Sequence, residues 1–349
     1  MSNYLIYGAN GYTGALIARA AWVCGHRPVL AGRNAAAVTA LARELGLEHR
    51  TFGLDAPAAV APSLAGLTAV LNCAGPFART AAPLAEACLR ARVHYLDVTG
   101  EIAVFEALAA RDAEALVAGV MLLPGVGFDV VPSDCLAVHL KRRLPGATRL
   151  ALGFESPGRL SRGTATTVLE NLHKGGAVRR RGVLTPVPTA WRVRTIDFGD
   201  GPREAVTIPW GDVSTAWRST GIPDIEVYTG VSRGQLLLMR AGRRLGRLLT
   251  SGPVQRFLRW RIRRGPAGPS AEERARGRCL LWGEVEDDKG GRAVARLRGA
   301  EGYTLTVQAA LACVGRVLAG DAPPGFQTPG LAYGPDLVLE LPGVGRTDE

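Results

Sequence analysis

A chain of 349 residues, 47% hydrophobic and 21% charged, holds enough apolar material for two cored domains, which excludes a disordered chain or a small disulfide scaffold. Its net charge of +11 is concentrated between residues 151 and 275, where 21 basic residues accompany 10 acidic ones. That excess is local and comes with no nucleic-acid recognition motif, so nucleic acid is not an expected partner.

The chain opens with an apolar strand candidate, Tyr4–Tyr7, too short for the core of a secretory leader. Strand candidates then recur at Pro28–Ala31, Arg50–Phe52, Ala69–Asn72, His94–Asp97 and Val120–Leu123. Helical patterns fall between them at Gly14–Val23, Ala36–Leu45, Ala82–Ala91 and Ile102–Ala118. This alternation predicts an α/β fold, a Rossmann-type doubly wound parallel sheet. The longest apolar run, around Val117–Val131, is broken by Pro124, Gly125 and Gly127, so no spanning helix is predicted. A helix from Ser133 to Arg143 stops near Pro145 and Gly146. The first domain is therefore expected to cover residues 1–148.

Beyond it, alternating segments at Arg149–Glu155, Ala190–Asp197, Glu204–Ile208 and Glu226–Tyr228 predict a second α+β domain over residues 149–300, for substrate binding or dimerisation. One hairpin is expected, Cys279–Glu286 with Arg292–Arg298, turning at Asp287–Gly291. A last region, residues 301–349, holds a helix at Thr304–Leu318 and a Pro/Gly-rich tail expected to pack over a surface. The six cysteines, Cys24, Cys73, Cys88, Cys135, Cys279 and Cys313, have no metal-ligand spacing and read as reduced core thiols of a cytoplasmic protein.

The first turn carries the clearest chemistry. Gly8-Ala9-Asn10-Gly11-Tyr12-Thr13-Gly14 follows a strand and opens a helix. Gly8 permits the tight turn, Gly11 the approach of a pyrophosphate, and Gly14 close packing of helix on strand. The second strand ends in Ala31-Gly32-Arg33-Asn34, where an NAD enzyme commonly places an acid. A guanidinium there suits a 2′-phosphate, so NADP(H) is the expected cofactor.

Ligands of open α/β sheets sit at the carboxyl ends of the strands. Strand four ends in Asn72-Cys73-Ala74-Gly75-Pro76-Phe77, and Ala74, Gly75, Pro76 and Phe77 are predicted to line the cofactor. Strand five ends in Tyr95-Leu96-Asp97-Val98-Thr99-Gly100-Glu101, and strand six leads to Asp129. Tyr95, Asp97, Thr99 and Asp129 are the candidate proton donors, with water as a fifth. Asp97, Thr99 and Glu101 read equally as caps for the helix starting near Ile102, and Ser133 as a cap for the helix after Pro132. His94, His139 and His173 read as structural or exposed. Ser161-Arg162-Gly163-Thr164 reads either as an anion site at a helix start or as a plain cap.

These stretches, with Pro124 to Asp134 and the tail residues Gly325 to Pro329 and Tyr333 to Asp336, resemble the saccharopine dehydrogenase-like NADP-binding family. The resemblance spans most of the chain and is nearest to the trans-acting enoyl reductase group. It implies NADP(H) as hydride carrier and a carboxyl-terminal segment returning to the first domain. It also implies reduction of an activated C=C (enoyl) or C=N bond in a hydrophobic or carrier-bound acyl substrate, or another small molecule. Phe128-Asp129-Val130-Val131-Pro132 departs from the lysine-pathway pattern, against a saccharopine-type substrate. A non-catalytic NADP(H)-binding sensor or scaffold is the rival reading of the same fold.

Residues 235–264 mix leucines and aromatics with nine arginines and no acid. Basic amphipathic helices are predicted. A lid or homodimer face, a dock for an acidic carrier or phosphorylated thioester, and a peripheral contact with an anionic membrane all remain open.

Overall fold

In the computed structural model, which describes residues 3–156, 158–171, 175–237, 239 and 251–349, the apolar run Tyr4–Tyr7 forms strand β1, buried at every position. Burial on both faces is what a central parallel strand requires. The chain continues through α1 (Tyr12–Val23), β2 (Val29–Gly32), α2 (Ala35–Leu45), β3 (His49–Thr51), α3 (Pro57–Val60), β4 (Ala69–Asn72) and α4 (Phe77–Ala91). It then forms β5 (His94–Asp97), α5 (Ile102–Ala109), α6 (Asp112–Ala118), β6 (Met121–Leu123), α7 (Val131–Arg143), β7 (Arg149–Glu155) and α8 (Arg162–Asn171). Four strands follow, β8 (Gly176–Arg180), β9 (Val183–Val187), β10 (Val193–Asp197) and β11 (Pro202–Thr207), before α9 (Asp212–Thr220) and β12 (Asp224–Gly230). Further along the chain come α10 (Gly252–Arg264), α11 (Ala271–Arg276), β13 (Arg278–Glu286), β14 (Arg292–Ala300), α12 (Gly302–Leu318), β15 (Gly325–Phe326), α13 (Pro329–Tyr333) and β16 (Gly345–Asp348).

These elements divide into two units, Met1–Val131 with Tyr303–Ala332, and Pro132–Gly302 with Tyr333–Glu349. The first unit is the predicted Rossmann-type layer structure. Its seven-stranded sheet runs β15-β6-β5-β4-β1-β2-β3, with every neighbouring pair parallel. Leu5, Val70, Leu84, Cys88, Tyr95, Leu108 and Leu122 lie in one continuous core. Each fully buried leucine contributes about 1.5–3 kcal/mol before conformational entropy is charged against it. Ile102–Ala118, read from sequence as one helix, is two. Arg111 breaks it with φ −99° and ψ 12° and turns its guanidinium onto Glu86 of α4 and Glu114. Asp112 then opens α6 and accepts the Phe326 amide of β15 at 2.7 Å.

The second unit is a mixed sheet ordered β10-β11-β12-β7-β13-β14-β16, with the β8–β9 hairpin attached through β12. Only β7 and β12 pair in parallel along that path. The β13–β14 hairpin turns where the sequence placed it, with Asp287 Oδ1 accepting the amides of Lys289 at 2.9 Å and Gly291 at 2.6 Å. The expected strands at Ala190–Asp197 and Glu204–Ile208 pair as the β10–β11 hairpin, and a further hairpin, β8–β9, was not anticipated. Ile196, Phe198, Tyr228, Leu280, Trp282 and Val294 form an apolar cluster on this sheet. Beside it, register sets Ala151 between Glu226 and Glu284, and all three line a cavity of about 340 Å³. Glu226 pairs with Arg180 and Arg192, and Glu284 with Arg194 and Arg292. Two guanidiniums on each nearly buried carboxylate offset its desolvation.

Other expectations are corrected. Cys24 is exposed rather than in the core, because α1 ends at the surface there. The tail is more than a surface covering, since Leu337, Val338 and Leu341 are buried and β15 and β16 pair in the two sheets. Ser133 lies within α7 rather than before it. Ser161 is a helix cap, its Oγ accepting the Thr164 amide at 3.2 Å. His173, Leu238 and residues 240–250 of the basic segment lie outside the described residues.

Candidate functional site

Parallel register sets Tyr7, Ala31, Asn72 and Asp97 in one row, so the loops that follow β1, β2, β4 and β5 share one edge of the sheet. The loop after β6 joins them, through hydrogen bonds from the Val126 and Gly125 amides to Asp97. The first unit thus holds every residue that the sequence offered as a cofactor-binding or proton-donating group.

The glycine turn is built as a cradle. Gly8 has φ +77°, and a Cβ there would lie 2.8 Å from the Ala74 amide nitrogen. Gly14 faces the Gly8 carbonyl directly, with no room for a Cβ. The Gly11 amide donates to the Gly8 carbonyl at 3.0 Å and closes the turn. Helix α1 starts at Tyr12 with no side-chain cap on Gly11 and no acid in its first turn. Its amino-terminal amides therefore meet no anionic side chain of that turn. Asn10 lies over Gly32, and Thr13 sits half-buried in the same turn. The Tyr12 ring meets Tyr303 edge to face at 5.1 Å between centroids.

Arg33, at the tip of β2, is exposed and makes no ion pair or hydrogen bond among the described residues. The contrast is Arg50, whose guanidinium is tied to the Ser63 carbonyl at 2.6 Å. Asn34 Oδ1 accepts the Ala37 amide at 3.2 Å and caps α2. The turn after β2 holds Arg33 and Asn34 and no carboxylate.

At the end of β4, Asn72 is fully buried. Its Nδ2 donates to Tyr95 Oη at 3.1 Å and Thr80 Oγ1 at 3.2 Å, and its Oδ1 accepts the Ala74 amide at 3.0 Å. These bonds set the turn Ala74-Gly75-Pro76, and Pro76 precedes Phe77 at the start of α4. Glu101 then accepts the amides of Phe77 at 2.9 Å and Ala78 at 3.1 Å. The sequence offered Glu101 as a cap for α5; it caps α4 instead, from 24 residues away.

Of the four candidate proton donors, three are engaged. Tyr95 donates to Asp97 Oδ2 at 2.7 Å, and Asp97 Oδ1 accepts the amides of Thr99 at 2.9 Å and Gly125 at 3.0 Å. Desolvation nonetheless pushes Asp97 up to about 6. Burial drives the Tyr95 phenol well above its ordinary range, and its neighbour Asp97 adds to that. Thr99 Oγ1 accepts the Glu101 amide at 3.1 Å. Tyr95, Asp97 and Thr99 are wholly buried, and the network they form ties the loop after β5 to the loop after β6.

Asp129 differs. The residue is half-buried, its Oδ1 is shielded from solvent, and that oxygen has no hydrogen-bond partner among the described residues. Its carboxyl lies on Gly100, where a Cβ would come within 2.6 Å of Oδ2. Desolvation pushes Asp129 up to about 7. The loop that carries it is held by Thr306 of α12, whose Oγ1 accepts the Phe128 amide at 3.0 Å. No motif announces Thr306, because it lies 178 residues further along the chain.

A parallel sheet, a glycine turn opening its first helix and an unopposed guanidinium after its second strand define a dinucleotide-binding oxidoreductase. Residues 4–123 match the family described as the saccharopine dehydrogenase NADP binding domain. The first unit therefore carries an NADP-binding domain of the saccharopine dehydrogenase type, and the chain is an NADP-dependent oxidoreductase. A Mycobacterium tuberculosis protein that bears the provisional name trans-acting enoyl reductase is 27% identical, over 98% of this chain and 95% of its own. The trans-acting enoyl reductase of Mycobacterium leprae is 32% identical across 40% of this chain and 35% of its own. Apo saccharopine dehydrogenase (L-Glu forming) from Saccharomyces cerevisiae shares the fold, with a TM-score of 0.71 over 100% of both chains at 12% identity. Among the described residues, no helix is long and apolar enough to cross a membrane.

Proposed function

We propose that this chain reduces an activated C=C bond of a hydrophobic or carrier-bound acyl substrate, with Asp129 as the proton donor. The name of its full-length mycobacterial relative supports the enoyl reading over C=N reduction. Bound NADPH supplies the hydride. Gly8, Asn10, Gly11, Tyr12, Thr13 and Gly14 hold the pyrophosphate at the start of α1, where a Cβ on Gly8 or Gly14 would collide with backbone. Arg33 takes the 2′-phosphate beside Asn34, since its guanidinium has no ion pair or hydrogen bond to give up among the described residues. Ala74, Gly75, Pro76 and Phe77 form the turn that bounds the cofactor further along the sheet edge.

The observation that carries the chemistry is Asp129. An acid whose pKa lies near neutrality is protonated often enough to donate and ionises readily once it has donated. Its unpartnered oxygen has no internal hydrogen bond to break before it meets a substrate. Tyr95, Asp97 and Thr99 act differently: their bonds fix the loops that hold Gly100 and Asp129 in register. The second unit provides the substrate and homodimer surfaces.

The test is NADPH oxidation with enoyl thioesters, free and carrier-bound, beside imine acceptors. Turnover with enoyl thioesters that falls at least a hundredfold in Asp129→Asn, with NADPH affinity kept, supports the proposal. Turnover confined to imines, or an undiminished Asp129→Asn, overturns it.

A further inference from the structure

We propose that α10 and its arginine-flanked aromatic pair form a docking surface for an anionic lipid membrane. The sequence background is extreme. No Asp or Glu lies between Glu226 and Glu272, and ten arginines do. Five of them, Arg256, Arg259, Arg261, Arg263 and Arg264, stand on α10. None of these five makes an ion pair among the described residues.

The helix has two unlike faces. Val254, Leu258 and Ile262, spaced four residues apart, are half-buried, and α10 packs on α8. Arg162 of α8 fixes the far end of α10 by donating from Nε to the Gly265 carbonyl at 2.8 Å. The outer face presents Phe257 and Trp260, 56% and 48% exposed, with ring centroids 5.8 Å apart. Arg264 lies over the Trp260 ring at 4.5 Å. The acids nearest in sequence or packing are Glu170 on α8 and Glu272 and Glu273 on α11. Glu273 is held in a capping box with Ser270 and pairs with Arg159 at 3.7 Å.

A patch of this kind matches the layering of a lipid surface. Anionic headgroups lie above hydrocarbon, and guanidiniums on flexible stems remain in the first layer while neighbouring rings enter the second. An acidic protein would satisfy the arginines and leave Phe257 and Trp260 opposite charge. At 13 residues, α10 is too short to span a bilayer and would lie along its surface.

The test is flotation of the full chain with vesicles of phosphatidylcholine alone and with vesicles rich in phosphatidylglycerol. Brominated acyl chains in a parallel series report quenching of tryptophan emission. The expected result is binding to the anionic vesicles only, abolished by high salt. It weakens about tenfold in Arg256→Gln/Arg263→Gln and in Phe257→Ser/Trp260→Ser, and the quenching is reduced in Trp260→Ser. Unchanged NADPH affinity in each variant confirms that it folds. Absence of flotation, equal binding to neutral vesicles, or capture by polyglutamate with no vesicle binding overturns the inference. So does sedimentation showing that the aromatic replacement splits a dimer.

Discussion

Replacing Arg33 by alanine isolates the feature that sets cofactor choice. The wild-type guanidinium is exposed and makes no ion pair or hydrogen bond among the described residues, so its removal breaks none of their bonds. Folding stability should move by no more than about 0.5 kcal/mol, as at any surface site without a cap or ion pair. A hydrogen bond to a charged group is worth about 1.5–3 kcal/mol, which converts to a loss of about 10- to 150-fold in NADPH affinity. NADH lacks the phosphate and should bind wild type and variant alike. Isothermal titration of both proteins with both coenzymes gives the four constants required. Parallel weakening of NADH and NADPH would show that Arg33 shapes the turn rather than reads the phosphate. An unchanged NADPH constant would remove Arg33 from the site.

Asp129 should leave a signature in pH. Its folded pKa, about 7, is above the unfolded 3.8, so its contribution to stability is complete below the unfolded value and lost as pH rises through the folded one. Thermal melts of Asp129→Asn against wild type should therefore favour the variant increasingly between about pH 4 and 7; a constant difference would refute this. In turnover, kcat/KM should fall above about pH 7 as the acid ionises, and that limb should be absent from any residual activity of the variant. Gly8→Ala must place a methyl 2.8 Å from the Ala74 amide at φ +77°, and urea unfolding should show a loss of about 2–5 kcal/mol; a loss under about 1 kcal/mol contradicts the cradle. Glu101→Ala should cost about 0.5–2 kcal/mol through the uncapped start of α4, with Glu101→Gln close to wild type, and equal losses in the two would point elsewhere.

The sheet of the first unit was legible because its strands are short, apolar and separated by helical patterns, and because parallel strands buried on both faces need no alternation to be found. The glycine turn and Arg33 were legible because phosphate recognition is local, a matter of a few successive residues. Glu101 was visible as a capping residue, but no sequence pattern says which of two nearby helices it caps. Thr306 was invisible for a stronger reason: its hydrogen bond depends on tertiary folding and not on any neighbour in sequence. The β8–β9 hairpin escaped because Arg179 and Arg180 interrupt the apolar alternation that marks a strand, whereas β10 and β11 were read as strands and only their pairing was missed. Arg179 is buried all the same, donating to the Val213 carbonyl at 2.6 Å. The same arginines that concealed β8 as sequence bind it to its neighbours as structure.

The interleaved carboxyl-terminal residues limit how this protein can be dissected. Gly325 and Phe326 close the β6 edge of one sheet, and residues 345–348 close the β14 edge of the other. A clone stopped at residue 131 would encode an open ladder at Met121–Leu123 and invite intermolecular strand exchange. A soluble nucleotide-binding fragment would instead need the 303–332 segment grafted back, by circular permutation or as a co-expressed peptide.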